Sequence, residues 1–261
     1  IEPRYYVPVL PMLAINGSEG VSIGFAQKIL PRKPKEIVKW VKQRAAGERI
    51  TANLTPHWEG MSCTVNKGES KVQWEITGSF TRKTKHRITI DSLPVGYTLK
   101  QYQAVLDKLV EDKVIKDFDD LSDNDVFEFE IQVDRAFGER TDEWIMTKLK
   151  LIKKVSENFT CIDENNKIVI FNSLNDLLEA WYVKRIEYND KRKQHLLSSM
   201  QEEMDYTNAR AKFIQGVVDG AIELRNSKET AVISQAEAYD SILQGRVKGF
   251  LGLPMRSLTA E

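Results

Sequence analysis

The sequence is poor in cysteine: Cys63 and Cys161 are its two, far apart and without a C-x-x-C partner. That excludes a disulfide scaffold and a cysteine zinc site. It points to a reducing compartment in which both thiols act as small hydrophobes. Histidine is nearly as scarce, and His57, His86 and His195 share no spacing with carboxylates that a metal site would use. No glycine-rich phosphate loop occurs, so ATP must be handled elsewhere. No apolar run approaches the length of a membrane span, and the N-terminus has no signal-peptide layout. The chain opens on Ile1-Glu2-Pro3 without an initiator Met, as expected of a piece of a longer protein. It also lacks net charge, with 38 Lys and Arg against 38 Asp and Glu.

What is present is an ordinary globular mixture, 41% hydrophobic and 29% charged, in 261 residues. That length suits one large domain or two smaller ones. The charge is unevenly spread. Cations gather at Arg32, Lys33, Lys35 and Lys39, at Arg82, Lys83, Lys85 and Arg87, and at Lys148, Lys150, Lys153 and Lys154. Acids gather at Asp117, Asp119, Asp120, Asp123 and Asp125, without the ligand order or glycine of a calcium loop. Any one such run is by itself a solvated face. Their separation still permits local contact with nucleic acid at zero total charge.

The pattern predicts an α+β chain. Tyr5–Ile15 and Val21–Phe25 read as two strands around a turn at Asn16-Gly17-Ser18-Glu19-Gly20, since Asn-Gly tolerates positive φ. A helix follows Pro34 and stops near Gly47. Lys71–Phe80 and Arg87–Ile90 alternate like strands, with the basic stretch between them at a hairpin tip. Leu99–Leu109 and Thr141–Leu149 have helical spacing, while Val126–Val133 and Lys167–Phe171 read as strands. From Ser173 to Gln215 there is neither Gly nor Pro, about 65 Å of helix at the usual rise. Ser173 and Asp176 are placed to cap it. Its apolar stripe is too thin for a core helix, which predicts one strand of a coiled coil.

The stretch from Tyr6 to Phe25, with Asn16-Gly17-Ser18-Glu19-Gly20 at its centre, resembles the winged-helix wing of the type IIA DNA topoisomerases: gyrase, topoisomerase IV and eukaryotic topoisomerase II. Lys28-Ile29-Leu30-Pro31 continues the match. Ile88 to Pro94 is similar to the family's tower segment, Asn208 to Ile214 to the end of its long arm, and Leu253 to Glu261 to its dimer gate. Within the family the likeness is greatest to the DNA-cleavage subunit of T-even-type phage enzymes. The resemblance implies a wing and distal winged-helix part over 1–47, a tower over 48–172, and a coiled-coil arm with gate helices over 173–261.

It further implies part of an ATP-dependent enzyme that passes one duplex through a transient double-strand break. Val21 takes the place of an isoleucine that wedges between base pairs; the alternative, from the strand pattern alone, is an ordinary core-facing valine. Asn16, Gly17, Ser18 and Gly20 would support the tip, and Lys28 would meet phosphate. Arg82, Lys83, Lys85 and Arg87 would hold the flanking DNA. Phe250, Leu251, Leu253, Met255 and Leu258 would form a homodimer gate. The nucleophilic tyrosine would lie upstream of residue 1, leaving Tyr5 and Tyr6 structural and this segment inactive alone. Mg(II) and ATP would sit on partner domains or subunits, in the cytoplasm or nucleoid. An alternative reading is a non-catalytic DNA-bending or scaffolding protein that dimerises through a coiled coil.

Overall fold

A computed structural model describes the whole chain except Ile1, Arg4, Asn124, Asp125, Asn226 and residues 253–261. It divides into two compact units, residues 1–185 and 186–261. The first is a mixed α/β body in which every strand pairing is antiparallel.

The N-terminal segment departs from the strand–turn–strand expectation. Residues Met12–Asn16 form a short helix, α1, followed by β1 (Ser18–Ser22) and β2 (Phe25–Ile29). Pro11 caps α1, with the Ala14 amide donating to the Pro11 carbonyl. A proline at a helix start gives up no intrahelical donor, and this one converts an apolar run into a helical turn. Gly17, at φ 71° and ψ 174°, ends α1 and turns the chain into β1. A side chain there would meet the Ile29 carbonyl oxygen at 2.6 Å. The hairpin turn therefore falls later than expected, at Ile23-Gly24, where Gly24 supplies the positive φ of 82°.

Helix α2 (Pro34–Ala46) follows, with proline in its first turn and Gly47 in the left-handed region after it. Strands β3 (Thr64–Lys67), β4 (Gln73–Thr77) and β9 (Ile152–Ser156) form one sheet. Strands β5 (Ser79–Thr84), β6 (Arg87–Ser92), β7 (Asp117–Asp120) and β8 (Phe129–Gln132) form another, in the order β5-β6-β8-β7. Helix α3 (Leu99–Glu111) packs Tyr102 and Leu106 into a core with Ile88, Ile90, Phe129 and Ile131. Its start is fixed by a reciprocal cap between Thr98 and Gln101. Tyr102 donates to the Leu149 carbonyl at 2.7 Å, and burial pushes its phenol well above the ordinary range.

Two short helices, α4 (Arg135–Gly138) and α5 (Asp142–Lys148), lead to β9. The hairpin of β10 (Phe159–Ile162) and β11 (Ile168–Phe171) precedes α6 (Leu174–Val218). Ser173 caps α6 by accepting from the Asp176 amide at 3.2 Å. Leu174, Leu177 and Leu178 at its start join Ala14, Ile29, Ile37, Trp40 and Phe159 in a second core. The segment 1–47 thus shares its interior with strands and a helix more than a hundred residues away.

In the second unit, Ala209 and Phe213 of α6 pack with Ile222, with Val232 and Ala236 of α7 (Glu229–Tyr239), and with Leu243, Val247 and Phe250. Leu196, Leu197, Met200 and Met204, farther up α6, are exposed. Phe250 corrects a sequence expectation. It is 1% exposed and lies against Phe213 and Tyr206, with ring centroids 5.6 and 5.2 Å away. A side chain buried within its own chain has no area left for a partner, so Phe250 is core and not a gate contact. Leu251 packs partly against the same cluster. Leu253, Met255 and Leu258 lie outside the described residues.

No helix of the described residues is long and apolar enough to cross a membrane.

Candidate nucleic-acid interface

The β1–β2 hairpin is held at its base and bare at its end. Ser18 donates to the Gln27 side-chain carbonyl at 2.6 Å, and Gln27 donates on to the Thr160 carbonyl at 2.7 Å. Lys28 and Asn158 exchange backbone hydrogen bonds, which join β2 to the start of the β10–β11 hairpin. Toward the tip these restraints stop. Val21 is 88% exposed and Ile23 is fully exposed. The core-facing alternative for Val21 is thereby ruled out. Gly20 has open space around it. Asn16 ends α1 rather than shaping the tip, and Gly17 and Ser18 fix the hairpin base.

Behind the hairpin sits an ion pair that the sequence pattern does not reveal. Arg32 belongs to a run read as surface cations, yet it is buried. Its guanidinium makes a two-pronged contact to Glu157 at 2.6 and 2.7 Å, and its Nε donates to the Leu54 carbonyl at 2.8 Å. It also donates to the Leu30 carbonyl. Glu157 accepts in addition from the Trp74 indole at 2.7 Å and the Leu30 amide at 2.9 Å. A buried carboxylate needs this many donors to offset its lost hydration. The cluster ties the end of β2 to β4 and to the turn before β10. Arg32 and Glu157 are 125 positions apart, so no local pattern could have announced the pair.

The basic stretch does form a hairpin, β5–β6, with Lys85 and His86 at its tip. Each of its four cations faces an acid. Arg82 pairs with Asp142 and donates to the Arg140 carbonyl at 2.7 Å. Lys83 and Arg87 both reach Glu130, at 3.0 and 2.7 Å, and Lys85 approaches Glu139 at 3.4 Å. The Lys83 hydrogen bond, reinforced by Arg87, holds the Glu130 carboxyl below the usual carboxylate range. Glu139 is lowered in the same way by Arg135 and Lys85. The cluster is therefore an ion-pair network of small local excess charge.

Lys28 pairs with Glu19 at 2.6 Å and lines a groove of about 440 Å³ with Gly17, Trp58, Gly96 and Lys153. Lys153 donates to the Val95 carbonyl at 3.1 Å. Lys28 and Lys153 thus come to one groove from distant parts of the chain, another pairing that linear spacing did not reveal. Lys154 instead pairs with Glu69 at 2.9 Å. Tyr5 and Tyr6 line a separate apolar groove of about 700 Å³ with Trp181 and Phe171. Cys63 and Cys161 are half-buried, and burial raises both thiols. Among the described residues no group of three or more His, Cys, Asp or Glu side chains is placed to hold a metal ion.

Known proteins of similar sequence and structure agree on one lineage. The family model for the A-type subunits of DNA gyrase/topoisomerase IV matches residues 1–261. The chain is 28% identical over 245 residues to DNA topoisomerase 2 of Saccharomyces cerevisiae, covering 91% of this chain and 17% of that protein. It is 26% identical over 251 residues to the DNA topoisomerase medium subunit of Enterobacteria phage T4, covering 92% of this chain and 56% of its phage relative. The structure of the Plasmodium falciparum topoisomerase II DNA-binding, cleavage and re-ligation domain shares its fold, with a TM-score of 0.78 at 23% identity. That match spans all of this chain and 39% of the other. The chain spans about a fifth of the eukaryotic relatives it matches and about half of the phage protein. With its full length inside the family model, it belongs to the DNA gyrase/topoisomerase IV A-type family of type IIA topoisomerases.

Proposed function

We propose that this chain works within an ATP-dependent type II DNA topoisomerase, where its β1–β2 hairpin is the wing that bends the gate duplex. The observation that carries the proposal is Val21, an apolar side chain held in water at the end of a hairpin whose base is rigidly joined to the body. An apolar wedge pushed into a base step costs a few kcal/mol of unstacking, recovered through contacts along the bent arms. In this reading the β5–β6 hairpin belongs to the tower and holds one flanking arm. Lys28 and Lys153 line the groove where a backbone phosphate would pass. Helix α6 is one strand of the arm, and Leu251 with residues 253–261 contributes to a homodimer gate without Phe250. Double-stranded DNA and the ATPase and magnesium-binding subunits are the partners. In this reading the segment contributes positioning and bending, and Mg(II) and the nucleophilic tyrosine belong to other domains or subunits of the enzyme. Family membership favours this reading over a non-catalytic scaffold.

The test is a Val21→Ala substitution in the full enzyme. Bending of a fluorophore-labelled gate duplex and DNA cleavage should fall together, while melting temperature stays constant because the side chain is exposed. Val21→Ile should preserve or increase both activities. Unchanged bending by the alanine variant would remove the wedge role.

A further inference from the structure

The most exposed large apolar side chain of the described residues is not Val21 but Ile23, at 100%. An isoleucine kept wholly in water contributes no burial to the folded state, whereas covering it is favourable in proportion to the apolar area removed from water. Among the described residues nothing covers it. Its neighbours are small: Ser22 before it and Gly24 after it, with Gly20 and Ala26 close behind in the hairpin register. Phe25 pairs with Ser22 and so belongs to the face opposite Val21. Gly20 and Gly24 have no atoms within 4 Å of where a side chain would begin. The hairpin end thus carries two branched aliphatic groups among small residues, with Val21 also lining a groove of about 310 Å³ beside Ile162 and Ile168 and Ile23 standing clear of it.

The turn sets the order. Ile23 follows the last paired residue of β1, Ser22, and stands at the outer end of the hairpin, beyond Val21.

We propose that Ile23 is a second inserting residue, a positioning group for DNA bending that enters the gate stack next to Val21. It supplies the apolar depth that a valine, one methylene shorter than isoleucine, does not provide. The inference rests on the reading of the β1–β2 hairpin as a DNA wing. It differs from that reading in assigning the wedge to two side chains rather than one. Ile23 at the turn leads and Val21 fills the step behind it. Glu19, the charged residue nearest this end of β1, is drawn back by its pair with Lys28 and leaves the tip uncharged.

The experiment uses the full enzyme with a fluorophore-labelled gate duplex carrying 2-aminopurine at successive steps of the bend. Ile23→Ser should reduce the bent fraction per bound complex by about tenfold, the effect of losing roughly half the burial of one isoleucine. The aminopurine signal should fall at one step and persist at the other. Melting temperature and the salt dependence of binding should match those of the unaltered enzyme, since Ile23 neither packs in the fold nor carries charge. Ile23→Leu should restore bending. Unaltered bending and both aminopurine signals in Ile23→Ser would overturn the inference and leave Val21 as the sole wedge. If the unaltered enzyme fails to bend the duplex, the wing reading itself falls and takes the second insert with it.

Discussion

Two hairpins of the first compact unit end in opposite ways. The β1–β2 hairpin ends on Val21 and Ile23, aliphatic groups that stand almost wholly in water. The β5–β6 hairpin ends among Arg82, Lys83, Lys85 and Arg87, each already facing Asp142, Glu130 or Glu139. An uncovered apolar tip has everything to gain from a partner, because its full transfer free energy is still available. A cation in an exposed ion pair gains less, since a phosphate must replace a carboxylate it already has. A basic run in a sequence therefore overstates the DNA contact it can make, and a short apolar tip understates it.

The largest expected effect comes from loosening what holds the first hairpin. Arg32→Met leaves the Glu157 carboxylate buried without its main counter-charge, a change that costs about 3–5 kcal/mol in comparable pairs. Thermal or denaturant unfolding of the variant should show that loss. A drop of under ~1 kcal/mol would mean that Trp74 and the Leu30 amide hold Glu157 without help.

The next effect is smaller and electrostatic. Neutralising Arg82, Lys83, Lys85 and Arg87 together should make the slope of log affinity against log salt shallower by at most ~4 units, less if the internal acids retain their hold. The loss should be similar for all DNA sequences, and bending per bound complex should not change. An unchanged slope would leave β5–β6 as a solvated hairpin.

Glu130→Gln should have the smallest effect, in the opposite direction. Glu130 is only 13% exposed and holds both Lys83 and Arg87. Releasing them should tighten DNA binding a few-fold at low salt, an advantage that screening removes as salt rises. Filter binding or anisotropy across a salt series checks this, and weaker binding would show that Glu130 orients the cations rather than competing for them. The sign with pH follows from the same contacts. The Glu130 and Glu139 carboxyls are lowered in the fold, so their stabilisation is present above the ordinary carboxylate range and is lost as pH falls through the folded values.

Much of this is legible in the sequence, and what is not shares a cause. Helix α3 follows from the spacing of Tyr102, Val105, Leu106 and Leu109, and α6 from its lack of Gly and Pro, because both signals are local. The β5–β6 hairpin is placed by alternation around its polar tip. The stretch before Asn16 reads as a strand but is not one, because Pro11 starts a helix inside an apolar run and the Asn-Gly pair serves as the exit from that helix. The hairpin turn moves to Ile23-Gly24 as a result, which is why the exposure of Ile23 could not be anticipated. Arg32 and Phe250 depart from expectation for another reason. Their roles depend on Glu157 and on Phe213, and partners so distant leave no periodic trace. The family resemblance puts Val21 in a hairpin, where the structure also has it, but carries no information on how the four basic side chains of β5–β6 are neutralised.

The separation of roles between the two hairpins is the central claim, and a single titration tests it. A variant carrying both Val21→Ser and Ile23→Ser, in the full enzyme, is bound to a labelled gate duplex over a range of salt while fluorescence transfer reports the bend. The account predicts that bending per bound complex is lost and the salt slope is unchanged, because the hairpin tip carries apolar bulk and no charge. A shallower slope with bending intact would contradict it, and would place the work of shaping DNA in the charged surface rather than in the exposed aliphatic tip.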